Sequence, residues 1–208
     1  ASGLIEMQLT QTIADGDGAT AAVTASWSVS QDLGVRDDGP SITVEPVPGG
    51  TLPTLTVDET TLGTVATASF AALFGNTPTY GADGAGSVVS TYSLSLPGST
   101  NSGLVDTASG QPVLLRQTGS GVEGYIASGE VVFTVTVDAA TGEVTLTQAR
   151  ALHHPIDTDH NDPVSMSAGL ISLTRSDTIT DGDGDSAAGS ASIDLGAQLT
   201  FLDDGIGG

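Results

Sequence analysis

The sequence predicts an all-β fold, an antiparallel β-sandwich of immunoglobulin-like type with calcium-binding loops. Three observations predict it. Apolar residues recur at every second position in short runs, Gly, Pro, Asn, Asp and Ser clusters break these runs about every ten residues, and acidic glycine-rich loops join them. Such a pattern suits many short strands with one buried face each.

Taken from the N-terminus, the segments either side of "DGDG" at 15–18 read as a hairpin, and a strand follows at 41–45. "ATASFAALFG" (66–75) is the one stretch that reads as a helical turn. In "SVVSTYSLSL" (87–96), Val88, Tyr92, Leu94 and Leu96 share a face, and shorter strands are expected at 112–117 and 123–127. "GEVVFTVTVDAATGEVTLTQ" (129–148) sets Val131, Phe133, Val135 and Val137 on one face, then turns at "DAATG" into Val144 and Leu146, which makes it a β-hairpin. A strand at 170–175 leads into a second acidic hairpin around "TITDGDGD".

The two acidic hairpins mark an internal repeat. Laying 4–40 over 170–206 aligns "DGDG" with "DGDG" and "DDG" with "DDG" at one offset, 181 − 15 = 203 − 37 = 166, without a gap. So long a period makes each unit a globular domain and not a solenoid coil. Residues 1–40 are therefore expected to be the C-terminal hairpin of a preceding repeat, and residues 41–208 a complete β-sandwich unit. Because an isolated hairpin is marginal in water, residues 1–40 are expected to pack on the next domain or on another copy of the chain.

Composition narrows the function. The chain has 25 acidic residues, four basic ones and a formal net charge of −21. A surface of this sign cannot displace counter-ions from phosphate, so no nucleic acid is expected as a partner. Nor is membrane insertion, since no run reaches the roughly 18 apolar residues of a span. Cysteine is absent, which removes disulfides and thiolate metal sites, and self-repulsion of so much like charge invites bound divalent cations. The N-terminus lacks a charged-then-apolar leader, so the expectation is that either the chain is an excised fragment or its export signal lies elsewhere.

Calcium takes six to eight oxygen ligands, and carboxylates at alternate positions of a glycine-hinged loop can converge on one ion. Asp181, Asp183 and Asp185 have that spacing; the N-terminal copy keeps Asp15 and Asp17 but carries Ala19 third, so it is expected to bind more weakly. The alternative is a hairpin turn with solvated aspartates. In "HHPIDTDHNDPVS" (153–165), Asp157, Asp159 and Asp162 form the favoured oxygen site; an ordered polar loop, or a transition metal on His153, His154 or His160, are the other readings. Finally, Asp37 with Asp38, and Asp203 with Asp204, stand at the expected unit boundaries, where the first pair is a candidate clamp for an interdomain calcium together with Asp58 or Glu59. A plain Asp-Gly turn would give the same letters.

No enzyme is expected. Trp27, Tyr80, Tyr92 and Tyr125 are too few to line a sugar cleft beside a carboxylate pair, and no Gly-x-Ser-x-Gly elbow precedes a helix.

Taken together, "LTQTIADGDGATAAVTASWSV", "DDGPSITV", "VDETTLGT", "YGADGAGSVVSTYSLSL", "ALHHP" and "TITDGDGDSAAGSASIDLG" followed by "LTFLDDGI" resemble the long tandem repeats of giant adhesins of the repeats-in-toxin (RTX) class. Type I systems of Gram-negative bacteria secrete these proteins. The resemblance implies an extracellular, calcium-dependent extender repeat on the cell surface, holding ligand-binding domains away from the cell in adhesion and biofilm formation. Its partners would be neighbouring repeats of the same polypeptide, and any host or surface ligand would be met by other domains. The Gly-Gly-x-Gly-x-Asp nonapeptide that names the class is missing from the chain. A glycan- or surface-binding module on the same sandwich is the alternative.

Overall fold

The computed structural model describes residues 6–28, 38–156 and 161–204. The chain divides into two compact units, Ala1–Asp38 and Gly39–Gly208. The first unit holds an antiparallel hairpin of β1 (Glu6–Ala14) and β2 (Thr20–Ser28), in register from Glu6↔Ser28 to Ala14↔Thr20. Alternation sorts its side chains: Met7, Leu9 and Ile13 share a face with Trp27, Ala25 and Ala21, while Gln8, Thr10 and Thr12 lie on the other.

The second unit is all-β. Its strands are β3 (Ser41–Pro46), β4 (Leu55–Asp58), β5 (Val65–Ser69), β6 (Phe74–Thr79), β7 (Ala85–Ser95), β8 (Asn101–Val105), β9 (Pro112–Gln117), β10 (Gly121–Tyr125), β11 (Val131–Val137), β12 (Glu143–Gln148), β13 (Pro163–Ser165), β14 (Ser172–Asp181), β15 (Ser186–Asp194) and β16 (Leu199–Leu202). Helical geometry among the described residues is limited to 3-10 turns at Glu59–Thr61, Ala71–Leu73 and Gly196–Gln198. The expected helical turn at 66–75 is mostly strand, because Val65 and Thr67 pair with β12 and only Ala71–Leu73 coils.

Six strands form one antiparallel sheet in the order β5-β12-β11-β10-β9-β8, and β15-β14-β7 and β3-β6 form two smaller ones. A mixed sheet, β13-β16-β4, contains a short parallel pair running from Leu199↔Leu55 to Leu202↔Asp58. Inward-facing residues of these sheets meet in one core that includes Leu55, Phe70, Leu115, Phe133, Leu146, Leu173 and Phe201. Phe133 tilts onto Phe201 at 5.2 Å between ring centroids. The architecture is that of layered antiparallel sheets around a shared core, as in a β-sandwich.

Strict alternation fails at one place. In β11 both Val132 and Phe133 are fully buried, although neighbouring residues of a strand face opposite sides. The register runs Gly124↔Phe133 and then Tyr125↔Val131, so Val132 is the extra residue of a β-bulge. Its carbonyl accepts from both Ala149 N and Arg150 N, at 2.7 and 3.1 Å.

Candidate metal centres

The second "DGDG" loop closes the β14–β15 hairpin. Asp181 N donates to Asp185 O at 3.0 Å, while Gly184 N and Asp185 N donate to Asp181 Oδ1 at 3.2 and 2.9 Å. Gly184 takes φ 106°, a left-handed value that a side chain would strain. The turn is thus wound around one oxygen of Asp181.

Long-range pairing brings a second loop onto it. Strand β7 runs antiparallel to β14, with a register shift at Thr180/Asp181, and Gly182 N donates to Gly84 O at 3.1 Å. Gly86 and Gly182 make the approach possible, since a Cβ on either would collide with the backbone of the facing loop. Asp83, Asp181 and Asp183 consequently offer carboxylate oxygens that all lie within 4.8 Å of one another. Asp181 is 4% exposed, and its Oδ2 is buried without a hydrogen-bond partner. Burial, and then the adjacent Asp183 carboxyl, push the Asp181 carboxyl above its ordinary value. Three acids and an orphaned buried oxygen could hold a hard cation.

Sequence spacing singled out Asp181 and Asp183 as candidates but not Asp83. Asp185 contributes backbone bonds to the loop, and its carboxylate is not one of the three that converge. The signal that could have found Asp83 was the Asp-Gly turn in "GADGAG", but nothing local says that β7 pairs with β14.

The N-terminal copy forms the same turn in a different setting. Ala19 N donates to Asp15 Oδ1 and Asp17 Oδ1 at 3.1 and 3.0 Å, and the loop is exposed throughout. Hydrogen bonding with Asp17, followed by bonds from Ala19 and Gly18, holds the Asp15 carboxyl below its ordinary value. Among the described residues no third acid joins Asp15 and Asp17.

The remaining candidates separate. Asp157, Asp159 and His160 lie outside the described residues, as does Asp37. Asp162 is buried and accepts from Ile156 N at 3.0 Å, so it closes the histidine loop. Asp38 is exposed, and Asp58 caps the turn at Glu59–Thr61 by accepting from Thr60 N at 2.8 Å. Asp203 is half-buried and Asp204 exposed; Asp203 meets Glu59 and His154 of its own unit.

Two other buried acids are already neutralised. Asp106 accepts from Arg150 Nε and Nη2 at 2.8 and 3.0 Å, and Arg150 also reaches Glu130 at 3.0 Å. These Arg150 bonds outweigh burial and bring the Asp106 carboxyl down to about 2. At Asp177, burial pushes upward but is outweighed by Arg175 and Asn76, whose donors lie 2.8 and 2.5 Å away. Arg116, the other described arginine, pairs with Glu123 at 2.7 Å and covers the Tyr125 ring.

No curated protein and no solved structure matches the chain significantly. Residues 54–196 match the family described as Domain of unknown function (DUF5801), a span that takes in Glu59, Asp83, His154, Asp181 and Asp183. That match covers well over half of the 208 residues, and the chain belongs to the DUF5801 family.

Proposed function

We propose that the chain is a calcium-stabilised extender repeat of a large type I-secreted RTX-class surface adhesin, its acidic loops serving structure and not catalysis. One observation carries the calcium reading: the buried, unpartnered Oδ2 of Asp181 beside Asp83 and Asp183. An isolated buried carboxylate is costly, and a cation shared with its neighbours removes that cost. Further support comes from the 166-residue offset, from the acidic excess and from the motif resemblance to adhesin repeats.

The physical consequence concerns secretion. Where free calcium is scarce the carboxylates repel, and the chain is more easily kept unfolded for threading. Outside, calcium binds a site that the folded state alone assembles, so binding free energy becomes folding free energy. Thermal melts of the chain in chelator and in excess calcium test this directly: the calcium melt is expected to lie higher, and coincident melts would refute the proposal.

A further inference from the structure

We infer that Glu59, His154 and Asp203 form a second metal centre of a different chemical class, one that takes a zinc-like divalent transition metal. The parallel pairing of β16 with β4 creates it. Leu202 stands opposite Asp58 in that register, so the next residues, Asp203 and Glu59, leave the sheet side by side. Two carboxylates would repel there unless a positive group lay between them. The loop after β12 brings up His154, and the three residues offer ligand atoms within 4.8 Å of one another.

The centre is buried and its carboxylate is held in place. Glu59 and His154 side chains are each 3% exposed. Leu152 N and Gln148 Nε2 donate to Glu59 Oε1 at 2.6 and 2.8 Å, fixing the carboxylate. His154 Nε2 lies 3.3 Å from the same oxygen, long for a charge-assisted hydrogen bond. Ligands about 2.0–2.1 Å from a tetrahedral zinc stand roughly 3.3 Å apart, so the spacing fits two corners of one coordination shell. His154 Nδ1 is buried without a partner, as is Gln148 Oε1. All three residues line one cleft of about 250 Å³, through which an ion and a water ligand can enter.

The imidazole decides the class of metal. Calcium selects oxygen donors and gains little from a histidine, whereas imidazole with carboxylates suits zinc, cobalt or nickel. The Asp83–Asp181–Asp183 cluster is all oxygen, so the unit carries two centres with separable preferences. Metal at Glu59 would tie together the end of β4, the histidine loop and the segment that leaves β16.

The inference stands apart from the calcium reading and is tested apart from it. Chelator-stripped full chain is titrated calorimetrically with zinc chloride in excess calcium, and cobalt(II) is added to a parallel sample to record its visible spectrum. One zinc per chain and a tetrahedral cobalt spectrum are expected. His154→Gln and the half-buried Asp203→Asn should each weaken zinc binding at least about tenfold. Asp203→Asn should keep a cooperative thermal melt in chelator, which shows that this variant folds. The proposal is overturned if zinc fails to bind in excess calcium, if cobalt gives no tetrahedral spectrum, or if zinc binds Asp203→Asn and His154→Gln as it binds the parent.

Discussion

Asp106 and Asp181 are both buried aspartates whose surroundings shift them in opposite directions. Asp106 has a bidentate arginine and two bonds from Ser109, so its charge is matched inside the protein. Arg150 stays partly exposed and keeps Glu130, so Asp106→Asn is expected to destabilise the second unit by about 1–3 kcal/mol, the loss of charged hydrogen bonds, in chemical denaturation. Its pH dependence follows from the sign of the shift. A carboxyl held at about 2, below the usual 3.8, contributes fully above its unfolded value, and that contribution disappears as pH falls from near 4 through 2. Acid melts of the parent should show this loss, and those of Asp106→Asn should lack it. Asp181 is the reverse case, a carboxyl that burial raises and that no arginine answers. Asp181→Asn is expected to reduce calcium affinity at least about tenfold while leaving the chelated protein as stable as the parent or more so, since it removes a buried uncompensated charge. Calorimetric titration and paired melts would check both halves.

At the scale of elements, the two acidic hairpins share a turn but differ in what lies against it. Gly182 sits where a Cβ would strike Asp83 O, whereas its repeat counterpart Gly16 has open space around it. Gly182→Ala should therefore push the loop carrying Asp83 away and weaken calcium binding about tenfold, and Gly16→Ala should leave calcium binding unchanged. Both variants keep every carboxylate, so a difference between them isolates loop approach from charge. Local pattern was enough to read β7, the β11–β12 hairpin and both "DGDG" turns, because alternation and Asp-Gly turns act over a few residues. It was not enough for Asp83, which reaches Asp181 only through pairing of strands that lie far apart in sequence. Nor did it reveal Glu59 beside Asp203, because the parallel register of β4 with β16 leaves no trace in either strand. The bulge at Val132 escaped for a related reason: an extra residue is invisible until its partner strand is known.

For the whole molecule, charge sets the conditions under which the fold persists. Twenty-five acids face four arginines, and the three described arginines are committed to Glu123, to Asp106 with Glu130, and to Asp177. The remaining acids repel at long range, a force that monovalent salt screens within about 10 Å at 0.1 M. The proposed calcium would act differently, since it would occupy one geometry near Asp181 and stabilise by mass action. At about 100 times its dissociation constant a ligand contributes about 2.7 kcal/mol, which for a domain of this size raises the melting temperature by roughly 5–10 °C. Salt added to chelated protein should raise the melting temperature gradually, and in Asp181→Asn by a similar amount, because screening does not depend on one carboxylate. Calcium added at constant ionic strength should raise it steeply in the parent and far less in Asp181→Asn. Differential scanning calorimetry of the two proteins across both series separates the effects. An equal calcium increment in parent and variant would mean that calcium acts as diffuse counter-charge, and the site at Asp83, Asp181 and Asp183 would lose its role in holding the fold.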